Sequence, residues 1–248
     1  MKNKEKIIEE FKKIKSLGFV KSNRSNNTGI GKTFEDYIGV VENNLDEPDL
    51  LGYEIKSHRE ETSSYVTLFT KSPSFPRGAN AYLNNNYGTP YENNVSLKKL
   101  HTSMFASKLN TYGGKYSFKL INERMSKVIK IGVYDINTQN LIDDSVGYTY
   151  DSLEKILEKK LKNLFYVSAV REYREGIEYF AFNKAEIYTN PSFEKFLDLI
   201  DRGLIMYDIR IGSYQSGSKL GKPHDHGSGF RIIESNIKLL FDTYEKIE

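Results

Sequence analysis

The stretch Leu45–His58, LDEPDLLGYEIKSH, decides how this chain is read. Asp49 follows Pro48, and Glu54-Ile55-Lys56 comes shortly after, in the form D-x4-E-x-K. Alternate side chains of a strand share a face. A strand over residues 51–58 therefore points Glu54 and Lys56 one way and turns Tyr53 and Ile55 toward a core. Asp49, at the Pro48 turn, can converge on the same point. Two carboxylates at one point form a hard-oxygen site for Mg²⁺, which keeps several waters and also takes a substrate phosphate. A lysine beside them can orient or help deprotonate an attacking water, or stabilise charge on phosphoryl oxygens. The constellation suits phosphodiester hydrolysis. On these three residues alone, the competing reading is a pair of solvated charges on an exposed strand face.

Ahead of this stretch, Ile7, Ile8, Phe11, Ile14 and Leu17 recur with a helical period, and Gly18 ends that helix. Lys21–Lys32, KSNRSNNTGIGK, is polar and glycine-rich and reads as a loop. Its GIGKT ending lacks both the spacing of a nucleotide-binding P-loop and a preceding apolar strand, so no such site is assigned. A second helix spans Thr33–Val41, with Phe34, Tyr37, Ile38 and Val41 as its stripe. Glu35 flanks that stripe and can border a cleft, or can serve only the positive end of the helix. Asp36 lies on the far, solvated side.

Beyond it, Ser64–Thr70 is a strong β run and Lys71–Asn80 a loop with two prolines. Ala81–Leu109, which contains His101, reads as irregular. Gly113-Gly114 marks a turn, and Tyr116–Leu120 with Val128–Tyr134 read as antiparallel strands. Asp151–Leu161 is a helix with Asp151 as its N-cap. Strands follow at Phe165–Val170 and Tyr179–Ile187. A helix opens at Pro191, buries Phe193, Phe196, Leu197 and Ile200, and ends at Gly203. In Ile205–Ile211, apolar Tyr207, Ile209 and Ile211 alternate with Asp208, Arg210 and Gly212, the pattern of a half-buried strand. A glycine-rich loop carrying His224 and His226 leads to Phe230-Arg231, and Asn236–Tyr244 reads as a short terminal helix.

The chain has 248 residues, enough for one large domain or two small ones with a real core. There is no cysteine, which excludes disulfides and thiolate metal sites and agrees with a reducing, cytoplasmic setting. A net charge of +3 does not by itself argue for nucleic acid. The start, MKNKEKIIEEFKK, has no signal-peptide core, and no apolar run is long enough to span a membrane. One α/β or α+β unit, residues 1–248, fits best.

Five segments in order carry a family resemblance. They are NTGIGKTFED (Asn27–Asp36), Asp49 with Glu54 and Lys56, LFTKSP…PRGAN (Leu68–Asn80), DIRIGSYQSG (Asp208–Gly217) and HDHG…FRI (His224–Ile232). In these the chain resembles the MvaI/BcnI restriction endonucleases nearly end to end, with residues 85–150 weaker. The resemblance implies a PD-(D/E)xK fold, a mixed sheet flanked by helices in a bilobal monomer. It implies a catalytic lobe in roughly residues 1–80 plus part of the middle, and recognition elements in roughly 200–235. It also implies Mg²⁺-dependent cleavage of double-stranded DNA, one strand at a time, at a short pseudopalindromic GC-rich site of the CC-N-GG kind, such as CCWGG. A cognate DNA methyltransferase in the host is implied, without direct contact. Carried over residue by residue, Glu35 falls on a helix acid and Asp49, Glu54 and Lys56 on the catalytic set, with Asp49 and Glu54 as metal ligands. Asp208, Arg210, His224, His226 and Arg231 fall on the base-reading set. The mismatch-repair nicking enzyme MutH is related, and a nicking enzyme or a non-catalytic DNA-binding module is the alternative.

Chemistry supports both sides at several of these residues. Asp208 and Arg210 can pair with each other, or Arg210 can read guanine O6/N7 and Asp208 cytosine N4. His224 and His226 can be a zinc pair, or can donate to guanine as neutral imidazoles. Lys71, Arg77, Lys219 and Lys222 suit phosphate contacts, which position without specifying. His58 shares the face of Glu54 and Lys56.

Overall fold

The computed structural model describes residues 3–26, 28–40, 48–60 and 64–247. The elements in order are α1 (Asn3–Ser16), β1 (Phe19–Lys21), α2 (Gly29–Ile38), β2 (Glu54–Arg59), β3 (Tyr65–Thr70), α3 (Ala79–Tyr87) and β4 (Thr89–Pro90). Then come β5 (Lys98–Met104), β6 (Tyr116–Glu123), β7 (Val128–Asp135), β8 (Leu141–Thr149), α4 (Tyr150–Leu161), β9 (Asn163–Arg174) and β10 (Ile177–Pro191). The last are α5 (Phe193–Asp201), β11 (Ile205–Ser213), β12 (Pro223–Asp225), β13 (Gly229–Ile233) and β14 (Phe241–Ile247). The described residues divide into two compact units. The first draws on Met1–Val66, Ile156–Ser192 and Glu234–Glu248, the second on Thr67–Lys155 and Phe193–Ile233.

The first unit is built on a mixed sheet. Strand order is β1-β10-β9-β2, with β14 also paired to β10; β2 runs parallel to β9 and the other pairs are antiparallel. Helices α1 and α2 cover one face. Ile7, Phe11 and Ile14 of α1, spaced by one helical turn, are buried. Phe34 of α2 stands 5.0 Å from Phe182 and 6.5 Å from both Phe11 and Phe165. Tyr53 and Ile55 join this core, as their alternation predicts. The other face of the sheet is polar: Glu54, Lys56 and His58 of β2 lie in register with Leu164, Tyr166 and Ser168 of β9.

Helix α2 starts earlier than the loop reading of residues 21–32 allows. Its stripe is Ile30, Thr33, Phe34 and Ile38, and Tyr37 is exposed. A Cβ at Gly29 would meet the Arg24 carbonyl oxygen at 2.3 Å, so only glycine lets the first turn approach the preceding loop. Val41 lies outside the described residues.

The second unit holds two sheets. One runs β3-β13-β11-β5-β4 with β12 on β11, and the other is the antiparallel meander β6-β7-β8. Phe69, Phe196, Phe230, Tyr148 and Tyr207 form its aromatic core, with Phe230 between 5.1 and 5.5 Å from the other four. The strand pair read at 116–120 and 128–134 is present as β6 and β7.

Further expectations change. Ala81–Leu109 is not irregular, since it holds most of α3 together with β4 and β5. Its asparagines hid the helix, because asparagine is a poor helix former and α3 buries Asn84, which bonds the Lys98 carbonyl and Ser213 Oγ. Strand β8 was not expected. Asn236–Tyr244 is not a helix: a 3₁₀ segment over Glu234–Leu240 leads into β14, which pairs with β10. Asp151 lies inside α4, and Thr149 Oγ1 accepts from the Ser152 amide at its start.

Candidate active site

The polar face of the first unit's sheet carries Glu54 and Lys56, and Asp49 stands just ahead of their strand. Glu54 opens β2 and is only 4% exposed. Its Oε1 lies 2.5 Å from Lys56 Nζ. Its Oε2 is buried with no hydrogen-bond partner, and Lys160 Nζ, from the end of α4, is 3.8 Å away. Asp49 is half-buried, and its Oδ2 accepts from the Ile55 amide at 2.8 Å. That bond ties the acid to the start of β2, where the strand reading placed it.

The donor set suits a divalent cation. Glu54 Oε2 is a desolvated hard oxygen without a donor, and an unmet buried acceptor of this kind is costly unless a cation or water takes it. Among the described residues no group of three or more His, Cys, Asp or Glu side chains is placed to hold a metal ion by itself. A buried carboxylate with one unmet oxygen, completed by waters and a substrate phosphate, is a ligand that a hard divalent cation takes.

On α2, Glu35 is half-buried and Asp36 exposed. Asp36 is held by Lys32 at 2.7 Å and by Asn23, which keeps its carboxyl below the usual range. The expected contrast between the two acids is therefore present in their burial.

Further along β2, His58 is buried and stacks on Tyr166, with ring centroids 5.4 Å apart. Its Nε2 lies 2.7 Å from Glu234 Oε1. Burial lowers the His58 pKa. Burial, with Glu186 and Glu60 nearby, raises Glu234 to about 7. Glu234, Glu186 and Tyr166 line a polar pocket of about 190 Å³. The sequence named His58 but not Glu234, which lies between two read segments with no motif of its own.

The second unit holds a separate cluster on β11. Asp208 and Arg210 share a strand face, as read, but only Arg210 reaches solvent from it. Asp208 is 1% exposed, closed in by Ser103, Arg210 and Arg231, on a strand paired with β13 and β12 on one side and β5 on the other. Its Oδ1 accepts from Ser103 Oγ at 2.7 Å and its Oδ2 from Arg210 Nε at 2.8 Å. Arg231 Nε lies 2.9 Å from the same Oδ2, close enough for an ion pair but not aligned for a hydrogen bond. The Arg210 side chain is 46% exposed.

The histidines sit beside this cluster. Asp225 accepts from the Gly227 and Ser228 amides and so shapes the turn that carries His226. The His226 amide donates to the Arg210 carbonyl at 2.8 Å. A Cβ at Gly212 would stand 2.7 Å from Tyr91 Oη and 3.0 Å from His226 Nε2, so a side chain there would displace those two rings. The His224 ring stacks on Tyr214 at 4.5 Å and meets His226 at 4.1 Å. His101, opposite Arg210 on β5, meets His226 edge-on at 6.1 Å. Burial lowers the His101 pKa, with Arg210 and His226 adding to the effect. His101 and Ser103 escaped the sequence reading. The alternation of Leu100, Thr102 and Met104 with Lys99, His101 and Ser103 is the signal that could have found them. The zinc reading of the pair gains no third ligand among the described residues.

Residues 8–241 match the model of the MvaI/BcnI restriction endonuclease family. The chain belongs to that family. It is a restriction endonuclease, a site-specific DNA nuclease. It is similar to restriction endonuclease MvaI solved as a cognate DNA substrate complex, with 37% identity, 98% of this chain and 97% of that chain covered, and a TM-score of 0.89. Against MvaI in the absence of DNA, identity is 37%, coverage 97% and 96%, and the TM-score 0.65. No match is found among the curated proteins. The α+β architecture with a mixed sheet flanked by helices agrees with the fold that the resemblance implied. Among the described residues no helix is long and apolar enough to cross a membrane.

Proposed function

We propose that this MvaI/BcnI-family endonuclease hydrolyses DNA phosphodiester bonds with Mg²⁺ at a short pseudopalindromic GC-rich site of the CC-N-GG kind. It does so as a monomer, one strand at a time, in a host carrying a matching methyltransferase. The observation that carries the catalytic part is Glu54: buried, with Lys56 on one oxygen and no hydrogen-bond donor on the other. Asp49 and Glu54 would hold the metal. Bound there, Mg²⁺ would supply Lewis-acid polarisation of the phosphoryl oxygens. Lys56 orients the attacking water and carries charge beside the scissile phosphate. Glu35 contributes a further carboxylate from α2. One such centre among the described residues favours one strand cut at a time.

In the second unit, Arg210 and Arg231 present guanidinium groups to guanine edges, and His224 and His226 offer ring N–H donors beside them. Asp208 belongs to this set as the residue that aims the two arginines. Its carboxylate is engaged by Ser103, Arg210 and Arg231, which supports an aligning role over direct contact with cytosine N4. The test is digestion of a mixed DNA substrate with and without Mg²⁺, followed by sequencing of the ends. Ends that share a CC-N-GG-type site only with Mg²⁺ support the reading. Ends without a common sequence refute the site, and product that stays nicked on a cognate duplex points to a MutH-like nicking enzyme.

A further inference from the structure

We propose that Lys160 is a second cation of the catalytic centre, a positioning residue that occupies the Oε2 side of Glu54 in the metal-free protein and yields that side to a divalent ion. This rests on the reading of Glu54 as a metal ligand.

The two oxygens of Glu54 are treated differently. Oε1 is in hydrogen-bond contact with Lys56. Oε2 is buried without a hydrogen-bond partner, and Lys160 Nζ stands 3.8 Å from it. That distance is too long for a hydrogen bond but keeps strong Coulomb attraction where water is scarce. The lysine is not a loose surface chain, since only 18% of its side chain is exposed. Its backbone is placed by the crossover. Helix α4 ends at Leu161 with Leu157 and Leu161 buried, and β9 begins at Asn163. Leu164 of β9 lies opposite Glu54, and Asn163 Nδ2 donates to the Gly52 carbonyl at 3.0 Å. The last turn of α4 is thereby tied to the end of β2 that carries Glu54.

A buried carboxylate without compensating charge is costly. Lys56 compensates one oxygen, and Lys160 supplies charge near the other without hydrogen-bonding that oxygen. Mg²⁺ binds a carboxylate oxygen at about 2.0–2.1 Å. Its charge would then lie within a few Å of the Lys160 ammonium, so the two cations compete.

The test is Mn²⁺ binding to DNA-free protein, read from the electron-spin-resonance signal of the free ion. Lys160→Met should tighten Mn²⁺ binding about threefold or more, Lys160→Arg should restore wild-type binding, and Lys159→Met, at an exposed position one residue away, should leave it unchanged. The tightening should disappear in Glu54→Gln. Wild-type binding that depends on Glu54 but is unaltered by Lys160→Met overturns the proposal alone. An equal shift from Lys159→Met also overturns it, as a general field effect. Binding that does not depend on Glu54 overturns the metal reading and this proposal with it. The arginine variant separates a charge effect from a folding defect.

Discussion

Glu54-Ile55-Lys56 on β2 and Asp208-Ile209-Arg210 on β11 are the same local pattern: an acid, a core isoleucine, and a base two residues on. In both, the acid is buried and the base reaches back to it, at 2.5 Å in one and 2.8 Å in the other. The difference lies in the second oxygen. Glu54 Oε2 has no hydrogen-bond partner, whereas Asp208 Oδ1 takes the Ser103 hydroxyl and its Oδ2 meets both Arg210 and Arg231. An acid with acceptor capacity left over can bind a cation. An acid whose capacity is used up can only orient what holds it. The same three-residue pattern thus supports chemistry in one unit and alignment in the other, and the neighbours decide which.

The sharpest way to break this contrast is to remove the acid on each side. Asp49→Ala or Glu54→Gln should lower cleavage by about a thousandfold or more, because metal-ion stabilisation of the transition state amounts to several kcal/mol. Specific DNA binding measured without metal should persist. Cleavage at the wild-type rate in either variant would move the catalytic centre elsewhere.

Asp208→Asn should act on stability first. Asparagine keeps only part of the hydrogen bonding at this buried position, and the two arginines it leaves reach solvent, so the cost is about 1–3 kcal/mol, which a denaturation midpoint would register. Specific binding should weaken as the arginines lose their guide. A variant of normal stability with relaxed readout of a cytosine alone would return Asp208 to direct base contact.

Arg210→Ala should lose specific affinity by roughly tenfold to a hundredfold, about 1.4–2.7 kcal/mol, the scale of one bidentate base contact. The slope of affinity against salt should barely move, since it counts phosphate contacts. Lys222→Ala should do the reverse, weakening all sequences alike with a shallower slope. Matching salt responses in the two variants would make Arg210 a phosphate contact.

The smallest effect concerns Glu234 beside His58. A carboxyl raised on folding to about 7 contributes stability that is full below its unfolded value and is lost as pH rises through about 7. His58, lowered by burial, works in the opposite sense below the usual histidine range, so the two must be separated. Glu234→Gln keeps the histidine and removes the carboxyl. Relative to wild type its melting temperature should therefore rise between pH 5 and pH 8, by about 2–4 °C for each kcal/mol in a chain of this size. A constant difference across that range would show that Glu234 does not titrate there.

Local pattern made much of the molecule legible. Alternation put Tyr53 and Ile55 in a core and Glu54 with Lys56 on the opposite face, and the helical periods of α1, α4 and α5 stood out because their apolar stripes are regular. The family could be read from five ordered segments, since such segments are short, contiguous and tied to backbone turns. Asparagine-rich α3 and the β14 edge strand were not legible, because tertiary pairing overrides weak local preference there. The sequence by itself determined that an acid and a base face the same way at Glu54 and Lys56, and again at Asp208 and Arg210, because strand alternation is a property of the chain alone. Only the tertiary structure decided that Lys160 stands beside Glu54 and that Ser103 and Arg231 close around Asp208. Those partners come from strands and helices distant in sequence, and burial next to them sets how much acceptor capacity each carboxylate keeps.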